Sequence, residues 1–313
     1  YDVVSVDNLS NADEAALDGI YRITGRRVEN HRIDLADRQP TLALFRSLDL
    51  VGVIHFAALK LVGESVEQPL RYFRNNLNSL LNVIEGMAEN GVPHLIFSSS
   101  CSVYGNSDEL PVTELTPRKA AESPYARTKQ MGEDILQDFC QVNPDFQTVL
   151  LRYFNPAGAH ESALIGEAPT NPATNLAPVI TETAIGKRKE MAVFGDDYPT
   201  RDGSCVRDYI HVMDLAHAHT LALEYLRAGK QQHNREIFNL GIGEGVTVLE
   251  AIKAFEAVTG QSLNYHIGPR RPGDVVAIYA NNEKAATRLG WQPTRDINDI
   301  MRTAWAWEQA RSR

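Results

Sequence analysis

The chain has 313 residues, 43% apolar and 23% charged, a composition that suits one large globular domain, or such a domain with a smaller appendage, and excludes a disordered chain. Its 31 Lys and Arg against 40 Asp and Glu give a formal net charge of -9, which argues against nucleic acid or an anionic membrane as a partner while leaving room for a local basic pocket. No apolar run approaches the roughly 20 residues of a membrane helix, no signal peptide is expected, and Cys101, Cys140 and Cys205 form no CxxC pair or metal-ligand spacing, so isolated thiols in a reducing, cytoplasmic setting and no metal are expected.

In chain order, Tyr1 to Val6 reads as a strand ending in Asp7, with no initiator methionine or capping segment before it. Val28 to Ile33 is a second strand, ending in Asp34. Val51 to Phe56 is a third, apolar almost throughout, as a strand covered on both faces should be. Pro69 to Asn90 has helical spacing, with Leu70, Phe73, Leu77, Leu80, Leu81 and Ile84 on one side. Pro93 to Phe97 is a strand running into Ser98, Ser99 and Ser100. Ser123 to Phe139 is a helix with Pro124 in its first turn, and Thr148 to Tyr153 is again a strand. This alternation predicts an α/β fold with a doubly wound parallel sheet of Rossmann type. Residues 156–175 read as a long loop. Helices at Leu176 to Lys187, His211 to Leu226, Val248 to Thr259 and Ile297 to Glu308, with strands at Met191 to Phe194 and Ile237 to Leu240, follow. The expected division is a cofactor domain over residues 1–155 and a smaller, mixed substrate-binding domain over 156–313, some of whose segments return to the sheet.

Ligands of such a sheet lie outside the carboxyl ends of its strands. Asp7 at one strand end can accept hydrogen bonds from adenosine ribose hydroxyls, which favours NAD over a 2′-phosphorylated cofactor. It can equally be the turn former before Asn8. Asp34 can reach an adenine edge, and Ala57 and Ala58 after Phe56 leave space for a pyrophosphate. The glycine-rich loop that should open a dinucleotide fold is expected to lie before Tyr1. Gly241, Gly243 and Gly245 follow a strand, but they lack an acidic partner at the right distance and read as a tight strand-to-helix turn.

Tyr125 and Lys129 stand four apart in Ser-Pro-Tyr-Ala-Arg-Thr-Lys, on one face of a helix. A phenol with a pKa near 10 is a poor base. An ammonium beside it, and a cationic nicotinamide, favour the phenolate, which can then accept an alcohol proton while hydride leaves the same carbon. Alone, the pair is a weak signal. Ser100, at the end of a strand entering the same crevice, makes it specific for carbonyl and alcohol redox chemistry; its plainer role is a turn or cap. Ser98 and Ser99 read as backbone support.

The stretches VDNLSN, VIHFAALKLVGESVEQPLRYFRNNL, LIFSSSCSVYG, SPYARTK, LLRYFNPAGAH, FGDDYPTRDGSCVRDYIHVMDLA, FNLGIGEG and PRRPGDVVAIYA resemble the extended short-chain dehydrogenase family, and within it the UDP-sugar 4-epimerases, from Tyr1 to about Trp307. The resemblance implies NAD as cofactor, UDP-glucose and UDP-galactose as substrates, and a homodimer pairing through the helices at 69–90 and 123–139, whose apolar stripes can also be core packing alone. It implies Tyr125, Lys129 and Ser100 as the catalytic trio. On the cofactor it implies Asp7 and Asn8 at the adenosine ribose, Asp34 and Leu35 at the adenine, and Phe56, Ala57 and Lys60 beside the pyrophosphate. Asn75 is also placed on the cofactor side, with Tyr153 and Phe154 as a nicotinamide wall and Lys129 on the nicotinamide ribose. On the substrate it implies Asn155, Asn175 and Leu176, the uridine strand residues Ala192 and Phe194, the diphosphate clamps Arg207 and Arg271, and Asp274 on the uridine ribose. Ile278 falls where the family lines the sugar pocket. Its size lies between the aromatic of forms limited to the unacetylated sugars and the small residue of forms that accept N-acetylated ones. Two rivals remain at this point: a dehydratase or decarboxylase of the same fold, and a non-catalytic nucleotide-binding protein. Against a 4,6-dehydratase, the stretch after Ser100 carries no carboxylate.

Overall fold

The computed structural model describes residues 1–169, 172–271 and 274–313; Pro272 and Gly273 of the PRRPGD motif, and Thr170 and Asn171 of the long loop, lie outside the described residues. The first half runs β1 (Val4–Val6), α1 (Ala15–Thr24), β2 (Glu29–His31), α2 (Arg38–Ser47), β3 (Val53–His55), α3 (Val62–Glu67), α4 (Pro69–Glu89), β4 (His94–Ser100), a 3-10 turn (Cys101–Tyr104), α5 (Pro124–Val142) and β5 (Gln147–Tyr153). The second half runs β6 (Asn155–Ala157), α6 (Leu176–Ala184), β7 (Met191–Phe194), β8 (Val206–Arg207), β9 (Tyr209–His211), α7 (Val212–Arg227), β10 (Arg235–Leu240), β11 (Val246–Thr247), α8 (Val248–Thr259), β12 (Tyr265–Gly268), β13 (Ala277–Ile278) and α9 (Ile297–Arg311).

The fold is α/β with parallel strands, as the alternation predicted. Its main sheet has the order β10-β5-β4-β3, all parallel. Successive side chains of a strand point to opposite faces, and the two faces bury different partners. Ile96, Val149 and Leu151 pack with Leu215, Ala218, Ala222 and Phe238 on the α7 side. Leu95, Phe97 and Leu150 pack with Leu80, Val83 and Leu136 on the α4 and α5 side. β10 and α7 thus bring residues well beyond position 155 onto the sheet.

Four expectations change. First, β1 and β2 form a separate parallel pair, so β1 and β3 are each edge strands among the described residues. Consistent with that, Val51 and Ile54 are exposed; the third strand is not covered on both faces. Second, α1 and α2 were not expected as helices. α2 carries Pro40 in its first turn, where no N–H is needed, and buries Leu42 and Phe45. Third, the buried side of α4 keeps only part of the predicted stripe, Leu80 and Ile84. Tyr72, Asn76, Ser79, Leu80, Val83, Ile84 and Met87 face inward, while Leu70 and Leu81 are exposed. Polar Asn76 wins its inward place by hydrogen bonds: its Oδ1 accepts from Leu59 N at 2.8 Å, and its Nδ2 donates to Leu59 O at 3.0 Å and Thr128 Oγ1 at 3.1 Å. Fourth, the helix beginning at Leu176 ends at Ala184.

α5 begins as its sequence dictates. Ser123 Oγ accepts from Ala126 N at 3.2 Å and Pro124 occupies the first turn. One turn past Lys129, Gly132 lets the helix lie close on the sheet; a Cβ there would stand 2.8 Å from Phe97 Cζ and 3.3 Å from Leu80 Cδ2. Gly132→Ala is expected to lower stability by about 1–3 kcal/mol, because the Phe97 ring must move in a close-packed layer. A urea midpoint equal to or above that of the parent protein would contradict this packing.

Candidate active site

The register β4 against β5 and β5 against β10 aligns two rows across the sheet. Ser100, Tyr153 and Leu240 form the last row, and Ser99, Arg152 and Asn239 the row beneath it. α5 crosses this end of the sheet and brings Tyr125 and Lys129 to it. Lys129 is buried, and its Nζ donates to Ser98 O at 2.6 Å and lies 5.9 Å from the Tyr125 ring centroid. The Ser100 Oγ accepts from both N and Oγ of Ser102, at 3.2 and 3.0 Å. Its own proton therefore remains for another acceptor. Ser100 is thus both the cap of the following turn and an available donor, so the two roles weighed for it are compatible.

The electrostatics differ from the sequence expectation. Burial pushes the Tyr125 phenol up to about 12, against the pull of Ser100. The Lys129 ammonium, which donates to the Ser98 carbonyl and keeps its charge, does not outweigh that burial. Burial brings Lys129 itself down to about 8, with Glu133 opposing. Activation of the phenol therefore needs further positive charge at the site.

The residues expected on the cofactor side are distributed over the ends of β1, β2, β3 and β5 and the adjoining helices. Asp7 Oδ1 accepts from Leu9 N at 2.7 Å, the Asx turn weighed for it. Asn8 Nδ2 donates to Asp34 Oδ2 at 3.0 Å, so these two meet across β1 and β2. Leu35 packs on the α4 core and its carbonyl accepts from Asn82 Nδ2 at 2.8 Å. Phe56 is 56% exposed, its ring 4.7 Å from that of His219. The Ala57 carbonyl accepts from Ser79 Oγ at 3.4 Å, and Asn75 Nδ2 donates to Asn76 Oδ1 at 2.9 Å. Tyr153 Oη lies 2.5 Å from His219 Nε2. His219 Nδ1 lies 2.8 Å from Leu215 O, an acceptor only, so the imidazole proton is on Nδ1 and Tyr153 donates to Nε2. Phe154 is buried with Val103, Tyr104 and Val112.

For the residues expected on the substrate side, the tertiary structure shows a convergence that spacing could not. Arg207 and Arg271 converge on Asp274: Arg207 NH2 reaches Oδ1 at 3.3 Å, while Arg271 reaches Oδ2 at 3.1 Å and Oδ1 at 2.7 Å. Phe194 joins them, its ring centroid 5.5 Å from Arg271 Cζ. In β7, Met191 and Val193 face the core while Ala192 and Phe194 face outward. The Asn155 N–H donates to Asp208 O at 2.9 Å, and its Oδ1 is buried without a hydrogen-bond partner; a buried orphan acceptor of this kind suits a ligand donor. Asn175 Nδ2 and Lys60 Nζ both meet Glu167 Oε1, at 2.7 and 3.5 Å, tying residues assigned to different ligands. Leu176 packs in the core beside α8 and α9. Ile278 is buried among Val103, Tyr104, Phe154 and Ala280.

Sequence reasoning missed Asp208, Glu133 and Arg152. The Asp208 carboxylate accepts from Ile242 N at 2.7 Å, Gly243 N at 3.1 Å and Ala280 N at 3.0 Å. It anchors the Gly241–Gly245 turn, where a Cβ on Gly241 would come 2.3 Å from Asp208 Oδ2. Its place immediately after Arg207 was the available signal. For Glu133 the signal was its position four residues beyond Lys129.

A family model described as GDP-mannose 4,6 dehydratase matches residues 1–304, which defines the chain as a nucleotide-sugar enzyme on the short-chain dehydrogenase fold. Within that class the chain belongs to the UDP-glucose 4-epimerase family. It is 45% identical over 307 residues to the UDP-glucose 4-epimerase of Erwinia amylovora, covering 98% of this chain and 90% of that one. The solved UDP-glucose 4-epimerase of Bifidobacterium longum, in complex with NAD+ and UDP, superposes with a TM-score of 0.95 at 44% identity, over 100% of this chain and 92% of that one. The enzyme of Stenotrophomonas maltophila, with bound NAD and formylated UDP-arabinopyranose, gives a TM-score of 0.95 at 46% identity, over 99% and 91%.

Two histidines near this end of the sheet bear on acid stability. Burial holds His55 at about 3, with Lys129 adding to the effect, and His219 at about 4 against the pull of the Leu215 carbonyl. In the unfolded chain both titrate near the usual 6.5. Between those limits the unfolded state binds more protons, so stability is complete above about pH 6.5 and is lost as pH falls towards 4. Denaturant unfolding at pH 7 and pH 5 should differ by on the order of 2–4 kcal/mol, and His219→Gln should shrink the difference. Equal stability at both pH values would contradict the buried neutral state.

Proposed function

We propose that the protein interconverts UDP-glucose and UDP-galactose by inverting C4 of the sugar through a 4-keto intermediate, with tightly bound NAD as cofactor. The observation that supports this most is the meeting of Tyr125, Lys129 and Ser100 at one end of the parallel sheet, in a chain whose two arginines converge on Asp274. The residues present suit NAD. Lys129 uses one of its three N–H donors on Ser98, Asp7 has a carboxylate oxygen beyond its Leu9 contact, and the exposed Phe56 ring borders the strand ends. Asp7, Asn8, Asp34, Leu35, Phe56, Ala57, Lys60, Asn75, Tyr153 and Phe154 would hold it, together with Tyr125 and Lys129.

NAD, when bound, supplies the acceptor for the C4 hydride, its return to the opposite face, and a cationic ring beside the phenol. The protein does the rest. Tyr125 takes the proton of the C4 hydroxyl as the C–H bond breaks, and later returns it. Ser100 donates to the sugar oxygen and steadies it in both states. Lys129 stabilises the phenolate and binds ribose hydroxyls. Arg207 and Arg271 hold the diphosphate through charge-assisted hydrogen bonds, so the keto sugar can turn about its link to a fixed anchor. Asn155, Asn175, Leu176, Ala192, Phe194, Asp274 and Ile278 line the UDP-sugar side. The stretch after Ser100 is the turn Cys101–Tyr104, without the acid-base carboxylate that a 4,6-dehydratase needs.

Leu70, Leu81 and Met131 on α4 and α5 are exposed, which supports the homodimer reading. No described helix is long and apolar enough to cross a membrane, and the unpaired Cys101, Cys140 and Cys205 suit a cytoplasmic setting.

The deciding assay incubates the NAD-loaded protein with UDP-galactose, UDP-N-acetylgalactosamine and their gluco epimers. Interconversion of the first pair is expected; turnover of the second would extend the range past the intermediate-sized Ile278. If neither pair interconverts with NAD bound, the reading fails. Tyr125→Phe is expected to lower kcat by roughly 10²–10⁴-fold with NAD retained. Arg207→Ala is expected to raise KM by roughly tenfold or more.

A further inference from the structure

Beneath the last row of the sheet lies a buried charged cluster centred on Glu133 and Arg152. Glu133 and Arg152 are almost completely buried. Glu133 Oε1 accepts from Arg152 Nε at 2.9 Å and from Ser99 Oγ at 2.6 Å, and Oε2 accepts from Arg152 NH2 at 2.6 Å. Arg152 NH1 donates to Tyr104 Oη at 2.9 Å, and Tyr104 donates onward to Asn239 Oδ1 at 2.6 Å. Glu133 stands one helical turn beyond Lys129, and the two clamp adjacent strand residues, Lys129 through Ser98 O and Glu133 through Ser99 Oγ.

Resting on the site reading above, we propose that Glu133 is a positioning residue for the reaction. Its carboxylate, fixed by Arg152 and Ser99, is the counter-charge that keeps the buried Lys129 ammonium charged, and it fixes the spacing between Ser100 and the Tyr125–Lys129 face of α5. Among the described residues, Glu133 is the one negative charge that acts on Lys129. On its own helix stand Tyr125 and Glu133. β3 presents His55, held neutral by burial. β4 presents the Ser98 carbonyl and the Phe97 ring, 5.2 Å from Nζ. A second cation, Arg118, lies 3.6 Å from Glu133 Oε2 and is partly exposed. Burial pulls the Lys129 ammonium down and Glu133 opposes it, so removing the carboxylate leaves burial unopposed.

The test reads Lys129 directly. In NAD-loaded enzyme carrying [ε-13C]lysine, with the Lys129 signal assigned by Lys129→Arg, the titration midpoint is expected to fall by about one pH unit or more in Glu133→Gln and to stay near its original value in Glu133→Asp. Activity should follow: the alkaline limb of kcat moves down with the midpoint in Glu133→Gln and is restored in Glu133→Asp, while KM for the UDP-sugar changes less than about threefold. If Glu133→Gln leaves Arg152 too poorly paired to fold, Glu133→Gln with Arg152→Met removes both charges and is expected to show the same downward shift. An unchanged Lys129 midpoint in whichever variant folds overturns the proposal, whatever the activity. Full activity of Lys129→Ala would instead overturn the site reading and leave the titration result standing.

Discussion

A carboxylate and a guanidinium sealed away from water tolerate each other only if nearly every lone pair and N–H finds a partner. The Glu133–Arg152 pair meets that demand by recruiting Ser99, Tyr104 and Asn239, and in doing so it binds α5, β4, β5, β10 and the turn after β4 into one rigid end of the sheet. Losing one partner of such a pair costs about 3–5 kcal/mol, far more than an exposed ion pair contributes. Burial works against the Arg152 charge, and the two Glu133 hydrogen bonds outweigh it and hold the guanidinium above its ordinary value. The row of Ser100 and Tyr153, proposed to border the reaction, sits directly above this layer, so its geometry inherits the layer's stiffness.

The side proposed for the substrate is built differently. Arg207 and Arg271 sit on short or irregular segments and are gathered by Asp274. Arg207 is also fixed by the Val275 carbonyl at 2.7 Å, and the residue after it, Asp208, gathers three backbone N–H groups. Burial pushes the Asp208 carboxyl up while those donors pull against it. The result is a loop cluster held by polar contacts next to a sheet end held by packing. That division suits a reaction in which one part of the substrate stays anchored while another part turns.

Much of this was legible in the amino-acid order. The strand and helix alternation follows from periodicity, and the Tyr125–Lys129 face from the 3.6-residue helical repeat. The capped start of α5 follows from Ser123 and Pro124. The buried side of α4 was legible only in part: Leu80 and Ile84 are buried as expected, while Leu70 and Leu81 are exposed and polar Asn76 finds the partners that permit burial. The covered third strand was misread because apolar content reports preference, not neighbours, and β3 is an edge.

By itself, then, the sequence determined the α/β class, the family motifs, and which residue types stand at strand ends and on one helix face, because these depend on local geometry and spacing. Only the tertiary structure decided that Arg207 and Arg271 meet on one carboxylate, and that Lys129 spends a hydrogen bond on Ser98. It also decided that burial rather than that lysine governs the Tyr125 phenol, and that Glu133 and Arg152 lie under the row of Ser100 and Tyr153. Each of these depends on which surfaces exclude water and which distant charges become neighbours, and neither is a property of chain order.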